Sequence, residues 1–471
     1  MFKLFKDRGF WKTTLKLALP VAFQNMLTSS FTLADTLLVS QLGEVALSSV
    51  GMVGQWGWLM TMALFGFASG TTVFVSQYWG IKDEKRIRNV CGIALVSVLA
   101  VSGVFITVSL IAPSSVLRMF NRDPQIVEEG VKYLTVVAYS YAAIAITNIL
   151  SAVLRSVEKV RLPMYVSGFT TLLNIFLDYC MIFGKLGFPQ MGIKGAALAT
   201  SVSAWAGVAL IVLISLIEKN ILIARFSETF SFSFAQFKEF YKKALPVVFN
   251  ESMWGAGNFV FNLIFANMGY EYFASLTILR SFENIAFVFF IGLGSACSVM
   301  IGKSVGKGKI ERGIEDSKRF AVLVPLVSVF VGILILIFRR LLIGIFNMGS
   351  NISDITLNTA MIIMAIYAVE MPIRNIQYIQ IVGIFRSGGD TVTGVKFDLS
   401  TLWMLSITAT LIAVYIIKVP FVVAFAVMYI FDDYPKTVLC LRYYRSLKWL
   451  RPVTDEGKAA LEEFKTKRVM K

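Results

Sequence analysis

Hydrophobic residues run along this chain in long blocks, without the strict alternation that marks a half-buried strand or a membrane barrel. Apolar runs of about 20 residues, the length that crosses a bilayer as a helix, recur almost throughout. About twelve such spans are expected, near 14–38, 47–76, 90–112, 131–152, 162–184, 194–217, 244–267, 275–301, 319–338, 357–384, 397–417 and 419–439. The expected fold is therefore an all-α polytopic membrane protein. The opening stretch MFKLFKDRGFWK is basic and amphipathic, leads into a span too long for a signal-peptide core and reads as lying on the membrane surface.

The pattern is also written twice. LALPVAF at 17–23 returns as KALPVVF at 243–249. The same offset pairs Gly43 with Gly269, Ser49 with Ser275, Gly66 with Gly292, Gly80 with Gly306 and Arg86 with Arg312. Further on, LRS at 154–156 answers FRS at 385–387. Two six-helix lobes follow, and an even number of spans per lobe makes the repeat parallel, related by an axis along the membrane normal. The expected organisation is an N-terminal lobe over 1–217, a cytoplasmic linker over 218–243, a C-terminal lobe over 244–440 and a basic tail over 441–471. Pro20 and Pro246 hold equivalent places early in the first span of each lobe, where a proline bends a helix. They are the candidate conformational kinks.

Composition agrees: 56% of residues are hydrophobic and 16% charged. The net charge of +16 does not point to nucleic acid, because the basic residues alternate in space. With the loops assigned to two sides in turn, one side carries 35 of the 45. The other holds only Arg118, Arg122, Lys132, Lys185, Lys194, Arg339, Arg340 and Lys418. That bias predicts a multi-pass protein of the cytoplasmic (plasma) membrane with both termini cytoplasmic. The four cysteines are scattered and histidine is absent, so no metal-ligand spacing and no His-based catalysis is expected. Neither a cofactor nor a resident metal is expected, and the chain does not read as an enzyme.

The chemistry lies in carboxylates placed within apolar runs. Asn174 and Asp178 sit four apart in LLNIFLDYCMIFG, on one helix face, and Asp35 lies in the first span. The repeat does not duplicate them: Asp35 is answered by Phe261, Asn174 by Leu405 and Asp178 by Ala409. Such groups mark ion pathways, and a close pair of them can hold one proton or a Na⁺. In the second lobe Glu251 has no partner within a helical turn. Glu370 and Arg374, and Arg280 and Glu283, are spaced as ion pairs. Asp432 and Asp433 are expected to anchor the tail.

In this order and spacing, LALPVAFQNML…ADTLLVSQLGEVALSSVG (17–51), FASGTTVFVSQYWGIKD (67–83), LRSVEKVRLPMY (154–165), LLNIFLDYCMIFG…MGIKGAALAT (172–200) and FRSGGDT (385–391) resemble the multidrug and toxic compound extrusion (MATE) family over essentially the whole chain. The resemblance implies two six-helix lobes forming a V-shaped cavity, and antiport in which inward H⁺ or Na⁺ drives export of organic, often cationic, compounds. It places Asp35 at the family's first-helix carboxylate, Asn174 and Asp178 at the fifth-helix pair, and Ala196 and Thr200 where some members complete a Na⁺ site. Glu251 matches a seventh-helix glutamate, and Glu370 lies near a tenth-helix aspartate; these two are the second-lobe candidates. The fourth-helix motif departs from the family at Val157 and Glu158, where glycine is common. Expected partners are small organic substrates and the lipid bilayer, with a monomeric chain. A lipid- or oligosaccharide-linked flippase is the alternative; a membrane-embedded enzyme or a channel fits the residues less well.

Overall fold

The computed structural model describes residues 6–223, 226–347 and 353–469. Among these there is no strand, only an isolated bridge between Gly389 and Leu450. The first repeat comprises α1 (Arg8–Ser40), α2 (Glu44–Ile81), α3 (Glu84–Ile111), the short α4 (Pro113–Arg118), α5 (Pro124–Val137), α6 (Ser140–Ser156), α7 (Arg161–Phe183) and α8 (Ile193–Glu218). After the single turn α9 (Phe226–Thr229), the second comprises α10 (Phe234–Ala266), α11 (Tyr270–Gly306), α12 (Ile310–Asn347) and α13 (Asp354–Tyr378), which continues as a π-helix over Ile379–Phe385. A mixed helix follows, made of α14 (Thr393–Leu399), a π-helix over Ser400–Ile407, α15 (Thr408–Leu411) and a π-helix over Ile412–Ile417. The chain ends in α16 (Phe421–Ser446) and α17 (Asp455–Val469).

A helix covers the body of every expected span. Eight of the helices in the described residues are long and apolar enough to cross a membrane. The span expected at 131–152 is broken: α5 and α6 meet at a bend of 51°, between Val137 and Ser140. Their outward faces are what lipid requires. Val104, Ile337 and Ile416 are 62%, 65% and 74% exposed, which in water would be a liability and in hydrocarbon is the ordinary solvent face. Local chemistry sets the helix starts. Asp83 caps α3 by accepting from the Arg86 amide, and Asp123 caps α5 through Gln125 and Ile126, with Pro124 at the first helical position.

The repeat extends to element boundaries. α1 and α10 are both 33 residues long, with ends at the repeat-equivalent positions. Pro20 and Pro246 lie inside these two helices. Glu158 and Gly389 are also repeat-equivalent, and both have left-handed φ, 66° and 98°. The turn after the Arg-Ser motif has therefore kept its shape while its residue changed.

Packing divides the chain into two compact units. One holds Pro20–Val75 and Lys82–Val248; the other holds the described residues up to Leu19, then Ser76–Ile81 and everything from Phe249. The division cuts α1 next to Pro20 and α10 just after Pro246. The expected linker is largely structured: α10 begins at Phe234, and the preceding turns pack on α3. There Glu228 pairs with Arg88 at 3.0 Å and the Thr229 carbonyl lies against Gly92. Further along the same unit, a Cβ on Gly66 would meet Val248 Cα at 2.5 Å.

In the other unit, the ends of α2 and α11 cross at glycines. A Cβ on Gly80 would meet the Lys303 carbonyl at 2.4 Å, and one on Gly306 would meet the Gln77 carbonyl at 2.2 Å. These are reciprocal contacts, since Gln77 answers Lys303 and Gly80 answers Gly306 in the repeat. Gly306→Ala forces backbone from backbone and should destabilise by about 3 kcal/mol. Gly54→Ala, also in α2 but with nothing within 4 Å of its Cβ, should be neutral. Thermal melts of the two variants in detergent check both.

At the start of α1, Asp7 accepts from Arg312 at 2.7 Å and Arg319 at 3.1 Å. The Arg312 hydrogen bond outweighs partial burial and holds the Asp7 carboxyl at about 2, below its ordinary 3.8. A lowered value means that the pair stabilises the fold fully above about pH 4 and is lost as pH falls through about 2. Asp7→Asn should therefore melt lower than wild type at pH 7, by less than about 1 kcal/mol because the carboxylate is partly exposed. The two melting curves should converge towards pH 2.

Candidate functional site

Four helices of the first repeat build the site. α1 supplies Asp35, α7 supplies Asn174 and Asp178 one turn apart, α8 supplies Ala196 and Thr200 one turn apart, and α5 supplies Tyr133. Asn174, Asp178 and Ala196 are fully buried and Asp35 is 9% exposed. The carboxyl groups of Asp35 and Asp178 are near neighbours, close enough to interact directly. Asn174 Nδ2 donates to Asp178 Oδ2 at 2.7 Å, while its Oδ1 accepts from the Thr200 amide at 3.2 Å. The opposite amide orientation offers only a 3.5 Å contact with Thr200 Oγ1, so the first is the one its neighbours select. Tyr133 lies beside Thr200 and the two aspartates, on the α5 side.

Three of the polar residues named from sequence thus come together: Asp35, Asn174 and Asp178, with Thr200 bonded to Asn174. Tyr133 was not foreseen; one tyrosine in an apolar run carries no signal of where its hydroxyl points. Among the described residues no lysine or arginine pairs with either aspartate. Asp35 Oδ1 and Asp178 Oδ1 are buried without a hydrogen-bond partner. Two carboxyls in contact cannot both stay ionised in a dry setting without a positive charge between or beside them. A proton shared by the pair meets that need. So does a hard monovalent cation held by carboxylate, amide and hydroxyl oxygens. Among the described residues no cluster of three or more His, Cys, Asp or Glu could hold a metal.

The second-repeat carboxylates are arranged otherwise. Glu251 is bound by Arg386 at 2.8 Å, from the FRSGGDT motif, with Arg386 only 3% exposed. The neighbouring Asn250 donates to Asp398 at 2.9 Å. Lys436, itself buried, bridges Asp398 at 2.7 Å and Asp432 at 2.8 Å. In the first repeat the equivalent Arg155 reaches the neutral Gln24 at 3.4 Å, so the same motif makes a charged tie in one half and a neutral one in the other. Glu370 accepts from Tyr434 at 3.2 Å and has its other oxygen unpartnered.

Three expectations are corrected. Arg374 does not pair with Glu370 one turn away. It reaches Glu283 on α11 at 2.7 Å, because packing brings that carboxylate closer than the helix's own geometry does. Glu283 accordingly takes Arg374 as its ion-pair partner. Asp432 and Asp433 do not tie down the tail: α16 runs on to Ser446, which leaves them inside it, facing Lys436 and Gln377. The network itself was half-legible, since Asp432 and Lys436 are spaced as an i, i+4 pair.

The MatE family model matches residues 20–180 and 246–412, one block per repeat. The chain belongs to the MatE family. It is 28% identical over 453 residues to the probable multidrug resistance protein NorM of Thermotoga maritima, covering 93% of each chain. It is 24% identical to the uncharacterized transporter YisQ of Bacillus subtilis, covering 89% of this chain and 90% of that one. Solved structures share the fold. A mutant of the Vibrio cholerae MATE transporter VcmN superposes with TM-score 0.82 at 15% identity, covering 94% of this chain and 98% of that one. A MOP superfamily transporter from Pyrococcus furiosus, described as having a binding pocket of reversed polarity, gives 0.82 at 19%, covering 92% and 95%. As a MatE member this chain is a multi-pass membrane transporter and not an enzyme, and its family is one of multidrug efflux.

Proposed function

We propose that this MatE protein is an antiporter that exports organic, cationic or amphiphilic compounds by alternating access. Inward movement of H⁺ or Na⁺ through the Asp35–Asp178 site drives the cycle. The observation that carries the reading is the contact between two buried carboxyls that no basic residue neutralises. Asn174 and Thr200 fix the pair, Ala196 lets α8 approach α7, and Pro20 lets α1 deliver or withdraw Asp35. Pro246 is the matching bend in α10. Coupling needs only that the cation bind one conformation better than the other. The charge bias of the loops supports both termini being cytoplasmic.

Glu251 and Glu370 are secondary candidates; Glu251 is already neutralised by Arg386, so Glu370 is the freer of the two. An anionic lipid-linked substrate would call for exposed, unpaired bases. Arg374 and the buried Arg386 and Lys436 are each matched to carboxylates instead, and although Arg155 meets only the neutral Gln24, the balance favours cationic cargo.

The test is reconstitution in liposomes with a fluorescent organic cation, under a Na⁺ gradient and then a pH gradient. Uptake or release driven by one gradient supports antiport and names the ion. Equal rates with and without gradients reject it, and transbilayer movement of a lipid-linked sugar would favour the flippase.

A further inference from the structure

The residues after α16 are built into the fold. Trp449 is fully buried, stacked on Tyr444 with ring planes 10° apart, and it covers Gly388, where a Cβ would lie 2.4 Å from the indole. Leu450 bridges Gly389, and the Arg451 amide donates to the Gly388 carbonyl at 2.7 Å. The strand-like segment then reaches the glycine crossing of α2 and α11. There the Val453 amide donates to Gln77 Oε1 at 2.8 Å, and Thr454 Oγ1 donates to the Gly306 carbonyl at 2.7 Å.

Each contact satisfies a group that would otherwise be stranded. Gly306 is the last residue of α11, so its carbonyl has no helical partner. Gln77 is fully buried and uses both ends of its amide, since Nε2 donates to the Ser387 carbonyl at 2.9 Å. One glutamine therefore joins α2, the turn after the Arg-Ser motif and the C-terminal segment. α2 is the helix whose body, up to Val75, packs in the other unit while Ser76–Ile81 packs here.

We propose that residues 447–457 form a clasp that locks the crossing of α2 and α11, and that the clasp must release Gln77 each time that end of the transporter opens. The proposal rests on the transporter reading above. Trp449 anchors the segment on one side, and on the other α17 packs against the end of α11, where a Cβ on Gly457 would lie 2.7 Å from the Val305 carbonyl. The segment therefore stays with α11, and the hold on α2 is the pair of hydrogen bonds at Gln77.

The experiment bridges the clasp reversibly. In a background with the four cysteines replaced by alanine, Gln77→Cys/Val453→Cys is joined by a short bis-methanethiosulfonate reagent and freed by reductant. Bridging should lower gradient-driven transport at least about tenfold, with full recovery on reduction. Independently of any substrate, it should slow hydrogen exchange of the amides in 76–81 and 302–307 by about tenfold. Transport and exchange that are the same bridged and reduced would overturn the clasp, as would failure of the two cysteines to be bridged at all. If the reduced protein moves no substrate but bridging still slows exchange, the clasp stands and the antiport reading falls.

Discussion

Asp35→Asn and Asp178→Asn should each cut gradient-driven transport by about 100-fold, and the double variant should be no worse than either alone. The reason is that the pair works as one binding unit. Asparagine keeps the shape and the hydrogen bonds but holds neither a proton nor a cation in exchange. Once one carboxyl is gone, the other has lost the partner with which it shared the charge, so the second substitution removes nothing further. Neither variant should unfold. Replacing an unpaired buried carboxylate by a neutral amide relieves a desolvation cost, so melting temperatures should stay level or rise. Liposome transport and thermal melts on the same preparations decide it. Additive losses would separate the two aspartates; full-rate transport in Asp35→Asn would remove α1 from the coupling.

Lys436→Met should have the largest effect on stability, about 3–5 kcal/mol. Lys436 bridges Asp398 and Asp432, and its own side chain is only 5% exposed. Methionine fills the space and leaves two carboxylates. Among the described residues Asp398 then keeps its hydrogen bond from Asn250, and Asp432 that from the Thr401 hydroxyl at 2.9 Å. Two near, half-buried, like charges are costlier than the missing ammonium alone suggests. The diagnostic is rescue: Lys436→Met combined with Asp398→Asn and Asp432→Asn should recover most of the melting temperature, because the triple variant strands no charge. A triple variant as unstable as Lys436→Met would mean that lysine's aliphatic packing, not its charge, is what the helices need.

Much of this was legible in the chain itself, for a physical reason. Lipid permits helices alone among open structures, so each apolar run had one conformation available. The repeat then fixed where α10 and α11 begin. Asn174 and Asp178 share a face because helical period alone decides it. What the residues could not show was which distant groups meet. Arg374 had a carboxylate one turn away and took Glu283 instead. Lys436 lies in the last expected span, and nothing in that stretch announces that it reaches Asp398 on a preceding helix. Glu251, with no neighbour on its own helix, found Arg386 some 135 positions away. Pairing across helices depends on helix rotation and depth, and one sequence records neither. The bend between α5 and α6 has no proline to announce it.

The reciprocal glycine contacts carry a historical consequence. In a symmetric pair of half-length chains, one glycine beside the two-fold axis would meet the backbone of its twin three residues earlier, and the same contact would recur across the axis. Any side chain added there would have intruded twice from a single mutation. Duplication and fusion split that position into Gly80 and Gly306, free in principle to diverge, yet each still meets backbone with no room to yield. Elsewhere the two copies differ: position 35 is an aspartate and its counterpart is Phe261. The crossing is thus a place where packing demands the same residue of both copies, and the carboxylates are a place where it does not.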